Sequence, residues 1–312
     1  MSHQHPPTPP STPIIKHFAD PPAPWCDPQT AAAIIIPAPL EYTVCYGRGT
    51  HQGPQAILDA SSQMEIYDEV HDWVPMSAGI ATLPALSYTG LSQEDALQAT
   101  ERTVASVVAQ GKLPVTLGGE HSLTPACLRA VQRAAEFAPL GLISFDAHAD
   151  MRASYEGTPL SHACAMRRAL EITGMHALEL GIRSISPEEV ADIRLERPPL
   201  EIVWAHQIGE MPLASCLARL PQRVYVTVDL DVFDPAYMPA VGTPEPGGID
   251  WWTFLRAFQT ITEQKELVGL DIVELAPIAG LNHPDFFAAK LVYKMLGLIF
   301  LSRRHTSEES LS

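Results

Sequence analysis

The sequence predicts an α/β fold, a three-layer α/β/α sandwich in which a mainly parallel sheet of about eight strands lies between two layers of helices. Short apolar runs alternate along the chain with segments of helical length. The runs are apolar on both faces, which is typical of strands that helices cover on both sides. Hydrophobic residues make up 46% of the 312 residues and charged residues 18%, so the chain can bury a large core.

Eight apolar runs are the predicted strands. In chain order they are AAIIIPA (32–38), AGIATLP (78–84), LPVTLGG (113–119), LGLISFD (140–146), ALELGIR (177–183), EIVWAH (201–206), RVYVTVDLD (223–231) and ELVGLDIVEL (266–275). No internal repeat and no second composition block follows residue 31. We therefore expect residues 31–312 to form a single domain.

Helix signals stand between several of these runs. Ser92 with Asp95 resembles a capping box at the start of a helix. Gly111 is a signal for the end of the same helix. Ser186 is followed by Pro187 and, three residues on, by Glu189, which combines a capping serine, a proline in the first turn and a capping acid. These signals predict helices beginning near residues 93 and 187.

Residues 1–30 differ from the rest of the chain. They are crowded with Pro, Ser, Thr and His, a composition that buries little apolar surface. We expect an extended, disordered N-terminal arm.

Charge and cysteine content narrow the function classes. The formal net charge of −16 disfavours nucleic acid and anionic membranes as partners and suits a cationic substrate or bound metal ions. The five cysteines are odd in number and scattered, so no disulfide framework is indicated. With no signal-peptide pattern and no membrane-spanning stretch, a cytoplasmic protein is expected.

Four predicted strands end in polar residues, and ligands of open α/β sheets bind at the carboxyl ends of the strands. These residues are Glu120 and His121, then Asp146, His148 and Asp150, then Asp229 and Asp231, and finally Asp271 and Glu274. Residues two apart on an extended chain face the same side, so each set converges. Carboxylates that close repel one another unless a cation lies between them. Many oxygen ligands with some imidazole indicate a pair of Mn²⁺ ions.

The motifs that carry these residues resemble those of the ureohydrolases, the family of arginase and agmatinase, whose members release urea from guanidino compounds. They are GGEHS (118–122), SFDAHADMR (144–152), SHACAMRR (161–168), VDLDVFDPAYMPAVGTPEPGG (228–248) and GLDIVELAP (269–277). The resemblance runs from about Ile35 to the C-terminal helix and is closest to the agmatinase branch. It implies an arginase-like fold.

The resemblance also implies a role for each site residue. His121 and Asp150 would bind one Mn²⁺, His148 and Asp231 the other, and Asp146 and Asp229 would bridge both. A hydroxide shared by the two ions would attack the guanidinium carbon. Asp150 would also pass a proton to the leaving nitrogen, Glu274 would pair with the guanidinium, and His162 would shuttle a proton or position the substrate. Apart from the resemblance, we expect Glu120 to support the site without touching metal.

The substrate is less sharply indicated. The loop MRASYEGTPLSHA (151–163) has no Asn, unlike the corresponding loop of arginases, so agmatine, giving putrescine and urea, is favoured over arginine. Guanidinobutyrate, guanidinopropionate, guanidine and formiminoglutamate stay open as substrates, and Ni²⁺ as the metal. A catalytically silent homologue that acts as a binding subunit is the alternative of another class, although all six ligand positions are intact. The resemblance further implies a homo-oligomer, a trimer or hexamer.

Overall fold

Eight parallel strands form one sheet in the part of the chain that the computed structural model describes, residues 16–136, 138–172, 174–210 and 212–309. The strands are β1 (Ala33–Ala38), β2 (Ile80–Thr82), β3 (Leu113–Gly118), β4 (Leu140–Phe145), β5 (Met175–Ile182), β6 (Leu200–Trp204), β7 (Arg223–Asp229) and β8 (Glu266–Val273). Their order across the sheet is β2-β1-β3-β8-β7-β4-β5-β6. Each predicted run overlaps one of these strands, although β5 begins two residues and β6 one residue before its predicted run. The predicted fold class is confirmed.

Helices cover both faces of this sheet. They are α1 (Gly53–Ser61), α2 (Gln93–Val108), α3 (Thr124–Ala134), α4 (Ala165–Leu170), α5 (Pro187–Glu196), α6 (Leu213–Leu217), α7 (Trp251–Gln264) and α8 (His283–Glu309). One apolar core joins the sheet to α1, α6, α7 and α8, and the other joins it to α2, α3, α4 and α5. In the first core Phe254 is fully buried, 4.7 Å from Phe145 and 5.3 Å from Phe233 between ring centres. Burying such a ring contributes roughly 2–3 kcal/mol.

The helix starts follow the predicted caps with one difference. Ser186 and Glu189 form the full reciprocal capping box at the start of α5. At α2 the Ser92 hydroxyl oxygen accepts from the Asp95 backbone N–H at 3.1 Å, but it donates its own proton to the Asp95 carboxylate at 2.7 Å. The box predicted there is therefore only half formed, because the shorter aspartate side chain bonds the serine hydroxyl instead of its backbone.

Part of the predicted arm is packed against the domain. Residues 16–30 contain turns but neither helix nor strand, and the Phe18 ring is fully buried in the first core. The backbone N–H of Phe18 donates to Thr82 Oγ1 at 2.9 Å, and that of Ala19 donates to Ser61 Oγ at 2.8 Å. Residues 16–30 are therefore not disordered as predicted, because the buried Phe18 ring and the hydrogen bonds beside it attach them to the domain. Residues 1–15 lie outside the described residues.

The strand order brings the polar strand ends together. β3, β8, β7 and β4 are consecutive neighbours in the middle of the sheet, and all run in the same direction. Their carboxyl ends therefore open onto one crevice, as the ligand sites of such sheets do. Within the described residues, no helix has the length and apolar character needed to cross a membrane.

Candidate metal centre

A first group of side chains surrounds His121, just after β3. Its Nδ1 lies 3.2 Å from Asp146 Oδ2, 3.2 Å from Asp150 Oδ2 and 3.5 Å from Asp229 Oδ2. All four residues are buried. One nitrogen thus faces three carboxylate oxygens across a gap that a divalent cation could fill.

A second group lies beside the first and shares Asp146 with it. His148 Nδ1 is 2.8 Å from Asp231 Oδ2 and 3.8 Å from Asp146 Oδ1. In each of the sets His121, Asp146, Asp229 and Asp146, His148, Asp231, the ligand atoms lie within 4.8 Å of one another. The two oxygens of Asp146 therefore face different groups, as a bridging ligand requires. Asp229 belongs to the first of these sets only.

The hydrogen bonding and charge of these groups fit bound cations. His121 Nδ1 and Asp146 Oδ2 are buried and have no hydrogen-bond partner among the described residues. Burial and the charge of Asp231 raise the pKa of Asp146 to about 7, against the opposing effect of His121. Burial likewise raises the pKa of Asp229 well above its ordinary value. Buried polar atoms without partners are costly, and a metal ion would satisfy both atoms and hold the carboxylates ionised.

His148 and Asp231 form the tightest pair of the centre. Burial opposes a charge on His148, but the hydrogen bond and charge of Asp231 outweigh it and raise the pKa of His148 to about 10. Burial also opposes the charge on Asp231, yet its bonds with His148 and with the Ala147 backbone lower its pKa. A proton on His148 thus occupies the place that a cation would take, so we expect metal binding to release protons.

The loops after the strands bring these side chains together by a route that differs from the predicted alternation. β4 ends at Phe145, so Asp146, His148 and Asp150 lie beyond the strand. The His148 N–H donates to Asp146 Oδ1 at 2.6 Å, and Asp150 has a left-handed backbone with φ of 48°. Asp231 lies in a 3-10 turn after β7, where its N–H donates to Asp229 Oδ1 at 2.9 Å. The predicted set of residues converges, but the turns and not an extended strand aim the side chains.

Two residues behind His121 orient its ring. His121 Nε2 is 3.0 Å from Thr227 Oγ1, and the Thr227 hydroxyl donates to Asp271 Oδ1 at 2.5 Å. Because the Thr227 proton goes to Asp271, its oxygen accepts from His121 Nε2–H and leaves Nδ1 free as a ligand. Asp271 is therefore an internal support of the site and not a group in the crevice. Sequence reasoning missed Thr227, although it shares a strand face with Asp229 two residues later.

Gly119 and Glu120 fix the segment that carries His121. A Cβ on Gly119 would lie 1.9 Å from the carbonyl oxygen of Leu40, so only glycine allows this close approach. Glu120 is fully buried, and its Oε2 accepts from the backbone N–H groups of Tyr42 and Thr43 at 2.6 and 2.7 Å. Glu120 thus holds the 41–47 loop at the site, in line with the supporting role expected from the sequence.

His162 and Glu274 line the same cavity as the two groups. The cavity has a volume of about 280 Å³, and its walls also include Asp150, Asp229 and Asp231. Glu274 Oε1 accepts from the His121 backbone N–H at 2.6 Å, and burial together with the charge of Glu120 raises the Glu274 pKa well above its ordinary value. Burial and the charge of Glu120 thus disfavour the ionised form of Glu274, and a cation beside the carboxylate would favour it. Six of the eight residues predicted for the site thus line one cavity, namely His148, Asp150, His162, Asp229, Asp231 and Glu274. His121 and Asp146 lie behind this wall, within 3.5 Å of Asp150 or Asp229 or of each other.

Arg152, to which the sequence analysis assigns no role, also lines this cavity. Its Nε lies 3.9 Å from Glu189 Oε2, and its guanidinium carbon lies 5.1 Å from the centre of the Tyr155 ring. The contact with Glu189 links the 151–163 loop to the start of α5, and the contact with Tyr155 lies within the loop.

Fold and site together define a class, that of α/β proteins with two adjoining imidazole–carboxylate groups at the carboxyl edge of a parallel sheet. Residues 31–297 match the model of the arginase family, and the chain belongs to that family, which confirms the resemblance seen in the sequence. It is 38% identical over 275 residues to N(1)-aminopropylagmatine ureohydrolase of Synechocystis sp., covering 86% of this chain and 89% of that protein. It is 33% identical over 282 residues to agmatinase of Pyrococcus horikoshii, covering 88% and 94%.

Solved structures show the same relationship. The crystal structure of agmatine ureohydrolase of Thermoplasma volcanium superposes with a TM-score of 0.81 at 31% sequence identity, covering 93% of this chain and 96% of that chain. The sheet, the helix layers and the site crevice are thus those of an arginase-family protein.

Glu179 in β5 is a buried acid near this centre. Neither of its carboxyl oxygens has a hydrogen-bond partner among the described residues, and burial, with the charges of Asp146 and Asp150, raises its pKa well above the ordinary 4.5. Folding therefore favours the protonated acid. The Glu179 carboxyl group makes its full contribution to stability at a pH below its pKa in the unfolded protein. That contribution is lost as the pH rises towards the higher pKa that the group has in the folded protein.

We expect Glu179→Gln to remove this loss. Between about pH 5 and about pH 8 the unfolding free energy of the chelator-stripped wild type should fall relative to that of the variant, since each unit of pKa difference is worth about 1.4 kcal/mol. Urea denaturation across this range measures the difference. Glu210→Gln, at an exposed position, is the matched control and should follow the wild type. Parallel pH profiles for wild type and Glu179→Gln would contradict the prediction.

Proposed function

We propose that this protein hydrolyses the guanidino group of a small cationic substrate to urea and an amine, with agmatine as the substrate and two Mn²⁺ ions as cofactors. The observation that carries the proposal is the sharing of Asp146 by two imidazole–carboxylate groups, members of which line one cavity with Glu274. An oxygen-rich set with two imidazoles suits Mn²⁺, with Ni²⁺ as the alternative. The similarity to an agmatinase of Pyrococcus horikoshii and to an agmatine ureohydrolase of Thermoplasma volcanium supports agmatine.

The chain supplies binding and proton transfer around this chemistry. When bound, the two metal ions lower the pKa of water and supply a nucleophile near neutral pH. The residues that would hold the ions are His121, Asp146, His148, Asp150, Asp229 and Asp231. Glu274 accepts the forked N–H donors of the guanidinium and so orients its carbon towards the metal groups. Asp150 accepts a proton and delivers it to the leaving nitrogen, and His162 moves protons between the cavity and solvent.

N(1)-Aminopropylagmatine is a second candidate substrate, which the 38% identity to the Synechocystis enzyme of that name favours. Both compounds carry positive charge besides the guanidinium, and the chain has a net charge of −16. The carboxylates of Asp150, Asp229, Asp231 and Glu274 line the cavity, so a cationic substrate enters a favourable field.

A urea-release assay across guanidino compounds tests the proposal. Protein stripped with a chelator should release no urea, and addition of Mn²⁺ should restore release from agmatine. The other arms use N(1)-aminopropylagmatine, guanidinobutyrate, guanidinopropionate, guanidine, formiminoglutamate and arginine, each with Mn²⁺ or Ni²⁺. Formiminoglutamate yields formamide in place of urea, so its arm is followed by formation of glutamate.

Each outcome of this assay decides a different point. Faster turnover of N(1)-aminopropylagmatine would replace agmatine by the longer substrate. Higher activity with Ni²⁺ would replace the metal. No product from any compound with either metal would overturn the enzymatic function and favour a silent binding subunit.

The proposal also includes a cytoplasmic homo-oligomer, a trimer or hexamer. Large apolar side chains around the starts of α7 and α8 support self-association, since Trp252 is 53% exposed and Phe286 41%.

A further inference from the structure

Cys45 stands in the wall of the candidate catalytic cavity. It is the exposed member of the five cysteines, whereas Cys26 is half-buried and the other three are buried. Its Sγ lies 3.6 Å from Nε2 of His162, within hydrogen-bonding distance for sulfur. Sequence reasoning assigned no role to Cys45, and the distance of 117 residues to His162 explains why no local pattern shows the pair.

The hydrogen bonds of His162 set the proton on its ring. The Thr43 hydroxyl donates to Glu120 Oε1 at 2.8 Å, so its oxygen can only accept from His162. It accepts the His162 backbone N–H at 3.0 Å and lies 3.3 Å from Nδ1, while the Ser161 hydroxyl is farther from the same nitrogen at 3.5 Å. The proton of the neutral ring therefore belongs on Nδ1. Nε2 is left with its lone pair directed at the Cys45 thiol.

A thiol, an imidazole base and a group that orients the base form the arrangement that activates cysteine nucleophiles. Here the three parts are Cys45, His162 and the Thr43–Glu120 pair. Because the thiolate is the reactive species of cysteine, a base within reach of an exposed thiol raises its reactivity.

We propose that Cys45 is a site of reversible covalent modification by small disulfides, which closes the catalytic cavity. The Cys45 thiol gives its proton to His162 Nε2, and its sulfur attacks one sulfur of the small disulfide. A new S–S bond forms at Cys45 as the S–S bond of the reagent breaks. The released half leaves as a thiolate, which takes the proton from His162, so Cys45 is oxidised and the released half is reduced.

The position of the adduct explains why it inhibits. Cys45 shares the cavity wall with Asp150, Tyr155, His162 and Glu274, and the cavity holds only about 280 Å³. A tripeptide such as glutathione, bound to Cys45 through a disulfide, fills the space that a substrate needs. It also keeps the substrate from contacting His162. A free thiol reverses the exchange and reopens the cavity.

Oxidised glutathione and iodoacetamide are the probes, used on the full-length, metal-loaded protein. Intact mass and peptide mapping should find one glutathione on Cys45, with loss of urea release that dithiothreitol restores. Iodoacetamide should alkylate Cys45 at least about tenfold faster than Cys26, the matched cysteine of the same chain. Equal rates at the two positions would overturn the proposal. The mass readout does not depend on the proposed function, which only the urea-release arm needs.

Variants separate activation by His162 from simple exposure. His162→Asn should slow alkylation of Cys45 about tenfold and leave Cys26 unchanged, which also reports that the fold is intact. Thr43→Val should slow it too, and Thr43→Ser should restore it by keeping the hydroxyl. Cys45→Ser should keep its own untreated activity in the presence of oxidised glutathione. An unchanged Cys45 rate in His162→Asn, or equal inhibition of Cys45→Ser, would refute the proposed site.

Discussion

Replacing Asp146 with Asn is expected to abolish binding of both metal ions and to reduce urea release about a thousandfold or more. The two oxygens of Asp146 face the His121 group and the His148 group separately, so one substitution weakens both. The amide has one oxygen in place of two and carries no charge to balance the cations. Even the loss of a group that only supports a metal ligand typically costs about 10- to 100-fold, and Asp146 would be a direct ligand of two ions.

Metal content and thermal unfolding measure this result. Wild type and Asp59→Asn, an exposed carboxylate on α1, should both hold two ions per chain and unfold at a higher temperature than the stripped protein. Asp146→Asn should retain neither ion and gain no stability from added Mn²⁺. Retention of two ions with full activity would remove Asp146 from the centre.

Asp229→Asn tests the second bridging assignment. If Asp229 contacts both ions, this variant loses metal and activity together. In the structure Asp229 Oδ2 lies 3.5 Å from His121 Nδ1, and Asp229 belongs to the His121 group only. Retention of one tightly bound ion would therefore reassign Asp229 to a single metal.

The fold and the convergence of the candidate site residues could be predicted because both follow from local sequence patterns. Runs apolar on both faces mark the buried parallel strands, and acids and histidines directly after a strand must lie at the carboxyl edge of the sheet. Asp146 and Asp229 follow this rule, and the sheet order places their strands side by side. The prediction that these residues lie at one edge of the sheet did not depend on the conformation of the loops.

What the sequence could not predict depends on contacts between distant residues. The left-handed turn at Asp150 follows the path of its loop, and the docking of Phe18 depends on Thr82, 64 residues away. The same holds for the pairing of Cys45 with His162. No periodicity in the chain encodes such contacts, since each is fixed only when the sheet assembles.

Replacing Glu274 with Gln is expected to lower kcat/KM for agmatine about 100-fold while both metal ions stay bound. Gln keeps a carbonyl oxygen that can accept from the His121 N–H, a bond that Glu274 Oε1 now makes at 2.6 Å, so the segment carrying a metal ligand stays in place. The variant loses the negative charge that pairs with the guanidinium, and a charge-assisted hydrogen bond of this kind is worth roughly 1.5–3 kcal/mol. Steady-state urea release with parallel metal analysis separates the two effects. An unchanged kcat/KM would show that the guanidinium pairs with another carboxylate of the cavity, and a loss of metal would make Glu274 a support of His121 instead.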